Sequence, residues 1–572
     1  MKTRLPCPPP CTRIIGGCLL ACLVWSGGLP LRAAPASGTN GVVATGHALA
    51  TAAALAAMTN GGNAIDGAVA AALTLGVVDG HNSGLGGGCF MIIRLPRGGL
   101  ELWDGRETAP LAAQADLFVR DGKADPRLSQ TGALAAGVPG ALAVYDRALR
   151  LHGRIPLREH LLRAARIAED GFRIDGRYAR LLAQHAGELS RFPTSKAIFV
   201  KADGAAWTEG DLLRQPDLGA TYRALAAQGV DWFYRGPFAE RVAQWMKANG
   251  GLMTVEDFRK YQVKARPPIY TRYRGHQVVG FPPPSSGGVL VAEVLNILET
   301  FDVAKLKPDS AEFVHLVTEA MKLAFADRAH WLGDPAFAPV PRGLIDKDYA
   351  RQLARRIRPD RASVVPSHGQ PPRADQDVFG RHTTHFSTAD REGHWVACTA
   401  TLNTSFGAKV VVPGTGVLLN NQMDDFSAQP GATNYFGLVG AAANAVGPGK
   451  RPLSSMSPTL VLFDGKPVLC VGAAGGPTII SQTLLAILYT VDFGLSVEEA
   501  LARPRFHHQW RPDELRIERG FGEETLRRLA EFGHKVAPVD SLGAAQAVGF
   551  EEKSGRLTGA ADPRGAGEAA AF

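Results

Sequence analysis

Hydrophobic positions along the 572-residue chain fall into helix and strand patterns on either side of one stretch that has no period at all. The Ala-rich run His47 to Met58 predicts a helix ended near Asn60-Gly61-Gly62, and a second helix runs from about Asn63 to Leu75. Gly84-Leu85-Gly86-Gly87-Gly88 follows, then Cys89 to Leu95, apolar at almost every position as a strand buried on both faces must be. Leu100 to Trp103 continues as its neighbour, before Arg106-Glu107. Residues 140–330 are largely helical. Pro156 at a first-turn position opens Leu157 to Asp170, and Phe313 to Arg328 carries Leu316, Ala320 and Leu323 on one face. Between these helices Gln277 to Phe281 is a strand, leading into Pro282-Pro283-Pro284-Ser285-Ser286-Gly287-Gly288 and another helix.

Periodicity disappears over 361–382, a stretch rich in Pro, Gly, Asp and Arg that ends Gly380-Arg381-His382 and is expected to be a mobile surface segment. Beyond it the pattern turns to antiparallel strands. Thr384 to Ala389 and Trp395 to Leu402 flank a turn at Asp390-Arg391-Glu392-Gly393. Thr459 to Phe463 and Val468 to Val471 flank Asp464-Gly465, a strong hairpin signal. A third pair, Ala547 to Glu551 and Leu557 to Ala560, surrounds Lys553-Ser554-Gly555, with helices near 478–490 and 523–532. Two sheets between helical layers fit this order. No internal repeat is visible.

Composition is that of a globular chain: 45% hydrophobic, 20% charged, with 65 glycines. The net charge of +8 is half leader, since Lys2, Arg4, Arg13 and Arg32 precede any acid and removing residues 1–36 leaves +4. With no basic cluster interleaved with aromatics, a nucleic-acid partner is not expected. The basic start, the apolar run Ile14 to Leu31 and the small residues Ala34-Pro35-Ala36 predict a cleaved export signal, broken by too many glycines and Pro30 to serve as a permanent membrane span. The product would be periplasmic or secreted. A rival reading anchors the chain by lipid at Cys22 within Leu19-Leu20-Ala21-Cys22. Cys89, Cys398 and Cys470 each sit in an apolar strand and are expected to be buried thiols rather than a disulfide framework or zinc site.

Several clusters carry candidate chemistry. At His382-Thr383-Thr384-His385 a threonine opens a strand directly behind the aperiodic segment. Pattern alone makes it an ordinary β-branched strand residue. The alternative is a cut before Thr383, giving it a free α-amine with a pKa of about 7.7–8, able to deprotonate its own hydroxyl. A hairpin turning at Asp390–Gly393 would set Thr383 opposite Ala400-Thr401, with Asn403 leaving on the same face as Thr401. His382 and His385 lack the third ligand a metal site requires. Asn420-Asn421-Gln422-Met423-Asp424-Asp425 follows an apolar strand and is either a solvated turn or an ammonium site, with charge from Asp425 and geometry from Gln422. Ser454-Ser455 and Gly475-Gly476 could handle negative charge, the glycines through backbone N–H groups at a helix start. Arg106 could clamp a carboxylate or form a structural ion pair. The run Gly84–Gly88 lacks a P-loop ending, and no Gly-x-Ser-x-Gly elbow is present.

From about residue 41 to the end, the chain resembles the γ-glutamyltransferases (glutathione hydrolases) of the N-terminal-nucleophile hydrolase superfamily. The likeness is carried by Gly61–Asp66, Gly84–Gly88, Arg106–Pro110, Gly137–Gly140, Thr383–His385, Thr399–Asn403, Asn420–Phe426, Arg451–Thr459 and Gly475-Gly476. It implies an αββα sandwich and autocleavage after His382 into a large chain, 37–382, and a small chain, 383–572, associated as a heterodimer. Thr383 would be the nucleophile and Thr401 its hydrogen-bonding support. Gly475 and Gly476 would form the oxyanion hole, Arg106, Ser454 and Ser455 the α-carboxylate clamp, and Asn403, Gln422 and Asp425 the α-amino site. Glutathione and other γ-glutamyl compounds would be donors, and water, amino acids or dipeptides acceptors. No cofactor or metal is implied. Asn434-Tyr435-Phe436-Gly437 is similar to a loop that covers the site in several bacterial members, with Phe436 where some carry Tyr.

Overall fold

The computed structural model describes residues 36–372 and 385–572. Nearly all of the expected leader, Cys22 included, and the junction His382-Thr383-Thr384 lie outside the described residues. No helix among the described residues is long and apolar enough to cross a membrane.

Two seven-stranded sheets organise the fold. The first runs Glu568–Ala571, Gly41–Thr45, His385–Asp390, Trp395–Thr401, Gly88–Arg94, Leu100–Gly105, Lys264–Arg266. The second runs Ala36–Gly38, Arg556–Ala561, Ala544–Glu551, Lys466–Ala474, Thr459–Phe463, His276–Gly280, Ile269–Tyr273. Every ladder in both is antiparallel. Both mix strands from before and after position 383, so a cut there would leave two interleaved chains.

The apolar runs are continuous because each strand is buried twice. Phe90 and Ile92 point between the sheets, where Phe90 stacks on Phe281 at 4.4 Å, while Cys89, Met91 and Ile93 face a helical layer. In the second sheet Leu460, Leu462 and Cys470 face inward, and Val461, Leu469 and Val471 face the helices. Alternation at period two therefore builds three stacked cores, helix–sheet, sheet–sheet and sheet–helix, in an αββα sandwich. The three cysteines are buried and free.

Local signals explain the element ends. The helix Ala64–Val78 is buried at every position, and Asn63 with Asp66 forms its capping box. Asp464 and Gly465 both adopt positive φ (47° and 76°), the turn that an Asp-Gly pair selects. Gly86 and Gly87 are fixed by crowding, since a Cβ on either would sit 2.0 Å from the carbonyl oxygen of Leu418 or Thr401. The glycine run thus lets the backbone pass beside Thr401. Residues 361–372 hold no regular element, yet they are tied down: Ser363 N donates to Glu319, Trp510 Nε1 to the Val365 carbonyl at 2.7 Å and Trp331 Nε1 to that of Gly369.

Candidate active site

The site forms where the inter-sheet layer opens. Thr401 ends one strand of the first sheet, paired with Gly88, and Ala474 ends one of the second, paired with Ala544. Between these ends lies a cleft of about 480 Å³, open mouth included, lined in part by Thr401, Asn403, Asp425, Ser455, Gly475 and Gly476. Six residues singled out in the sequence thus converge from four separate segments. Thr383 and His382 lie outside the described residues.

The hairpin turns where expected, and its register pairs His385 with Thr399. Asn403 reaches the cleft by a different route from the one anticipated. The strand stops at Thr401, and Asn403 sits in a left-handed turn (φ 80°), its N–H donating to Thr401 Oγ1 at 2.8 Å and its amide Nδ2 to the Asn421 carbonyl at 3.0 Å. This local bond turns the chain and aims both polar side chains at one space.

The amide-rich run 420–425 divides its labour. Asn420 is spent on backbone, donating to the Gly86 and Gly137 carbonyls at 2.8 Å and accepting from Gly137 N. Asn421 holds Thr404 and the Gln130 carbonyl. Gln422 Nε2 donates to Asp425 at 2.8 Å, while its Oε1 is buried without a partner. Arg106, fully buried, pairs through Nη2 with Asp425 Oδ2 at 2.6 Å and through Nη1 with Glu107 at 3.4 Å. The two residues expected at opposite charges of a ligand therefore contact each other. Ser455 lines the cleft, whereas Ser454 sits behind it with its hydroxyl buried and unpartnered.

A loop closes one side. Asn434 Nδ2 donates to Asp425 at 3.3 Å, and the Tyr435 N–H donates to Asp424 at 2.8 Å. Phe436 packs its ring on Gly476, where a Cβ would come within 2.6 Å of it. Burial pushes the Asp424 acid up to about 6, helped by the charge of Asp425 and opposed by hydrogen bonds from Ser129 and Tyr435. The segment Gly475-Gly476, with φ of 133° and 59°, precedes the helix Thr478–Val491.

Asn82, overlooked in the sequence, also lines the cleft, its amide Nδ2 held by Asp79 at 2.9 Å. Its position within His81-Asn82-Ser83, just before the glycine run, was the available signal. His385, weighed as a metal ligand, is instead buried against Ser387 at 2.6 Å, and burial lowers its pKa to about 3. Elsewhere His315, Glu319 and His534 converge, but the ammonium of Lys322 sits 2.8 Å from Glu319, and the two imidazoles share a hydrogen bond at 2.7 Å. That cluster is closed by its own cation.

Comparison with known proteins finds relatives in sequence and in fold. The family model for gamma-glutamyltranspeptidase matches residues 50–572. A glutathione hydrolase proenzyme of Escherichia coli is 44% identical over 533 residues, covering 93% of this chain and 91% of its own. An acylase ACY 1 proenzyme of Pseudomonas is 37% identical, covering 92% of each. A crystal structure of cephalosporin acylase from Bacillus halodurans superposes with a TM-score of 0.86 at 28% identity, covering 96% of this chain and 98% of that one. Matched over nearly its whole length in sequence and in fold, the chain belongs to the gamma-glutamyltranspeptidase family of enzymes.

Proposed function

We propose that the chain is exported as a proenzyme, cuts itself before Thr383, and then moves γ-glutamyl groups from glutathione and related amides to water, amino acids or dipeptides. The observation that carries this reading is the meeting of Thr401, Asn403, Asp425, Ser455, Gly475 and Gly476 around one cleft. Residues 1–36 would be the leader, 37–382 the large chain and 383–572 the small one. The mixed sheets favour their staying together as a heterodimer in the periplasm or outside the cell.

In the first reaction Thr383 Oγ1 attacks the carbonyl of His382. The peptide bond rearranges to an ester, and water releases it to leave a free α-amine on Thr383. Pairing of His385 with Thr399 supports a role for Thr401, which stands two residues from Thr399 as Thr383 stands two from His385. Thr401 Oγ1 accepts from Asn403 N, so its hydroxyl proton is free to turn to the nucleophile.

In the second reaction the α-amine takes the Thr383 hydroxyl proton as Oγ1 attacks the γ-carbonyl. Backbone N–H groups of Gly475 and Gly476 receive the oxyanion, and collapse passes the proton to the departing amine. Water or an acceptor amine then attacks the ester and restores Thr383. Asp425, with Gln422 and Asn403, would hold the substrate ammonium, and Arg106 with Ser454 and Ser455 its carboxylate. Fixing both head charges sets the distance of the scissile amide from the nucleophile.

Mass spectrometry of intact wild type and Thr383→Ala tests this. Wild type should give two chains, the small one beginning at Thr383, and the variant one uncut chain without activity. Active wild type that stays a single chain would overturn the mechanism.

A further inference from the structure

One buried cation near the site has no carboxylate paired with it among the described residues. Arg328, in the last turn of the helix Ala311–Trp331, is only 5% exposed and makes no ion pair among the described residues. A buried guanidinium without a paired carboxylate is costly and calls for a reason. Its Nε donates to Ser286 Oγ at 3.0 Å. Ser286 Oγ in turn donates to the Ser454 carbonyl, which also accepts from Ser286 N at 2.8 Å. Arg328 therefore stands directly behind the serine pair whose first hydroxyl is buried without a partner.

The charges point the same way. Arg106, the expected carboxylate anchor, is already flanked by Asp425 and Glu107. One cation between two acids offers an arriving carboxylate little net attraction. Arg328 brings a second positive charge to the serine pair, linked to its backbone through Ser286. Burial lowers its pKa to about 10, still ionised at neutral pH, and Asp425 is the charge that steadies it.

Taking the proposed γ-glutamyl site as premise, we infer that Arg328 is a positioning residue for the substrate α-carboxylate, acting through Ser286 on Ser454-Ser455 and through its charge. The role assigned to it lies on the carboxylate alone, so its effect should follow the carboxylate and not the bond being broken.

The test compares two substrates across Arg328→Gln and Arg328→Lys. One is γ-glutamyl-p-nitroanilide. The other is 4-aminobutyryl-p-nitroanilide, which keeps the amine and the scissile amide but has no α-carboxylate. Arg328→Gln should lower kcat/KM for the first by about ten- to a hundredfold, mostly in KM, the range of a lost bond to a charged group. It should leave the second within about threefold, whereas Arg328→Lys should keep most of the discrimination because it keeps the charge. Parallel loss on both anilides, or loss on neither, overturns the assignment. Wild type inactive on both would instead remove the γ-glutamyl reading itself. Should Arg328→Gln remain uncut, Ser286→Ala decides: a fall in the ratio of the two rates supports the role, and an unchanged ratio refutes it.

Discussion

Asp424 offers a prediction in which the sign matters more than the size. Its side chain is buried, accepts from Ser129 Oγ at 2.6 Å and from Tyr435 N at 2.8 Å, and so ties the loop over Gly476 to the floor of the site. Burial raises its pKa to about 6 in the folded chain, against about 3.9 when unfolded. An acid raised on folding holds its proton more tightly in the native state. Its contribution is fully present below pH 4 and is lost as pH rises through 6. Two units correspond to about 3 kcal/mol, or roughly 3 °C in Tm for a chain of this length. Asp424→Asn cannot ionise. It loses acceptor strength towards Ser129 and Tyr435, a cost of about 1–2 kcal/mol that does not change with pH. The Tm of Asp424→Asn minus that of wild type should therefore climb between about pH 4 and 6, with its midpoint near 5, and level off above, whatever its starting value; the range to cover is about pH 3.5 to 7.5. Calorimetry of both fully processed proteins across that range reads the curve directly. A flat difference, or one falling with pH, would show that Asp424 is not a strained buried acid.

Two further substitutions probe the cleft. Gly476→Ala places a Cβ at φ 59° and within 2.6 Å of the Phe436 ring, so the loop must shift. kcat/KM should fall at least about tenfold for a cost near 1–2 kcal/mol in stability, and adding Phe436→Ala should restore part of the rate; wild-type kinetics in the single variant would refute the contact. Asp425→Asn keeps the shape but removes the charge, so turnover of γ-glutamyl-p-nitroanilide should drop by about ten- to a hundredfold while glutaryl-p-nitroanilide, lacking the amine, is spared. Equal losses on the two anilides would mean that Asp425 serves only to hold Arg106.

What was legible in the sequence was whatever period and turn chemistry encode locally. Leu157–Asp170 and Thr459–Phe463 match the predicted bounds, and the Asp464-Gly465 hairpin turns as its residues require. The family motifs named six residues that line the candidate cleft, but the geometry among them was not legible. Asn403 was expected to stay on a strand face, yet its N–H is captured by Thr401 and the strand ends there. Arg106 and Asp425 are 319 positions apart, and nothing in either neighbourhood announces their ion pair. Arg328 is one charge on a helix whose period marks only its apolar face, so its burial behind Ser286 depends on packing between distant segments.

That long-range assembly bears on why a cut at 383 need not loosen the site. Arg106, Asn82 and Arg328 precede the junction, whereas Thr401, Asp425, Ser455 and Gly475 follow it. The strand Trp395–Thr401 lies between His385–Asp390 and Gly88–Arg94, with ladders to both. Separating the chains would break the Gly88–Arg94 ladder and expose both faces of a sheet buried twice, a loss far beyond the few kcal/mol that distinguish folded from unfolded chains. The proposed cleavage would therefore free an amine and a short tether while leaving the ion pair, the serine pair and the glycine turn in register.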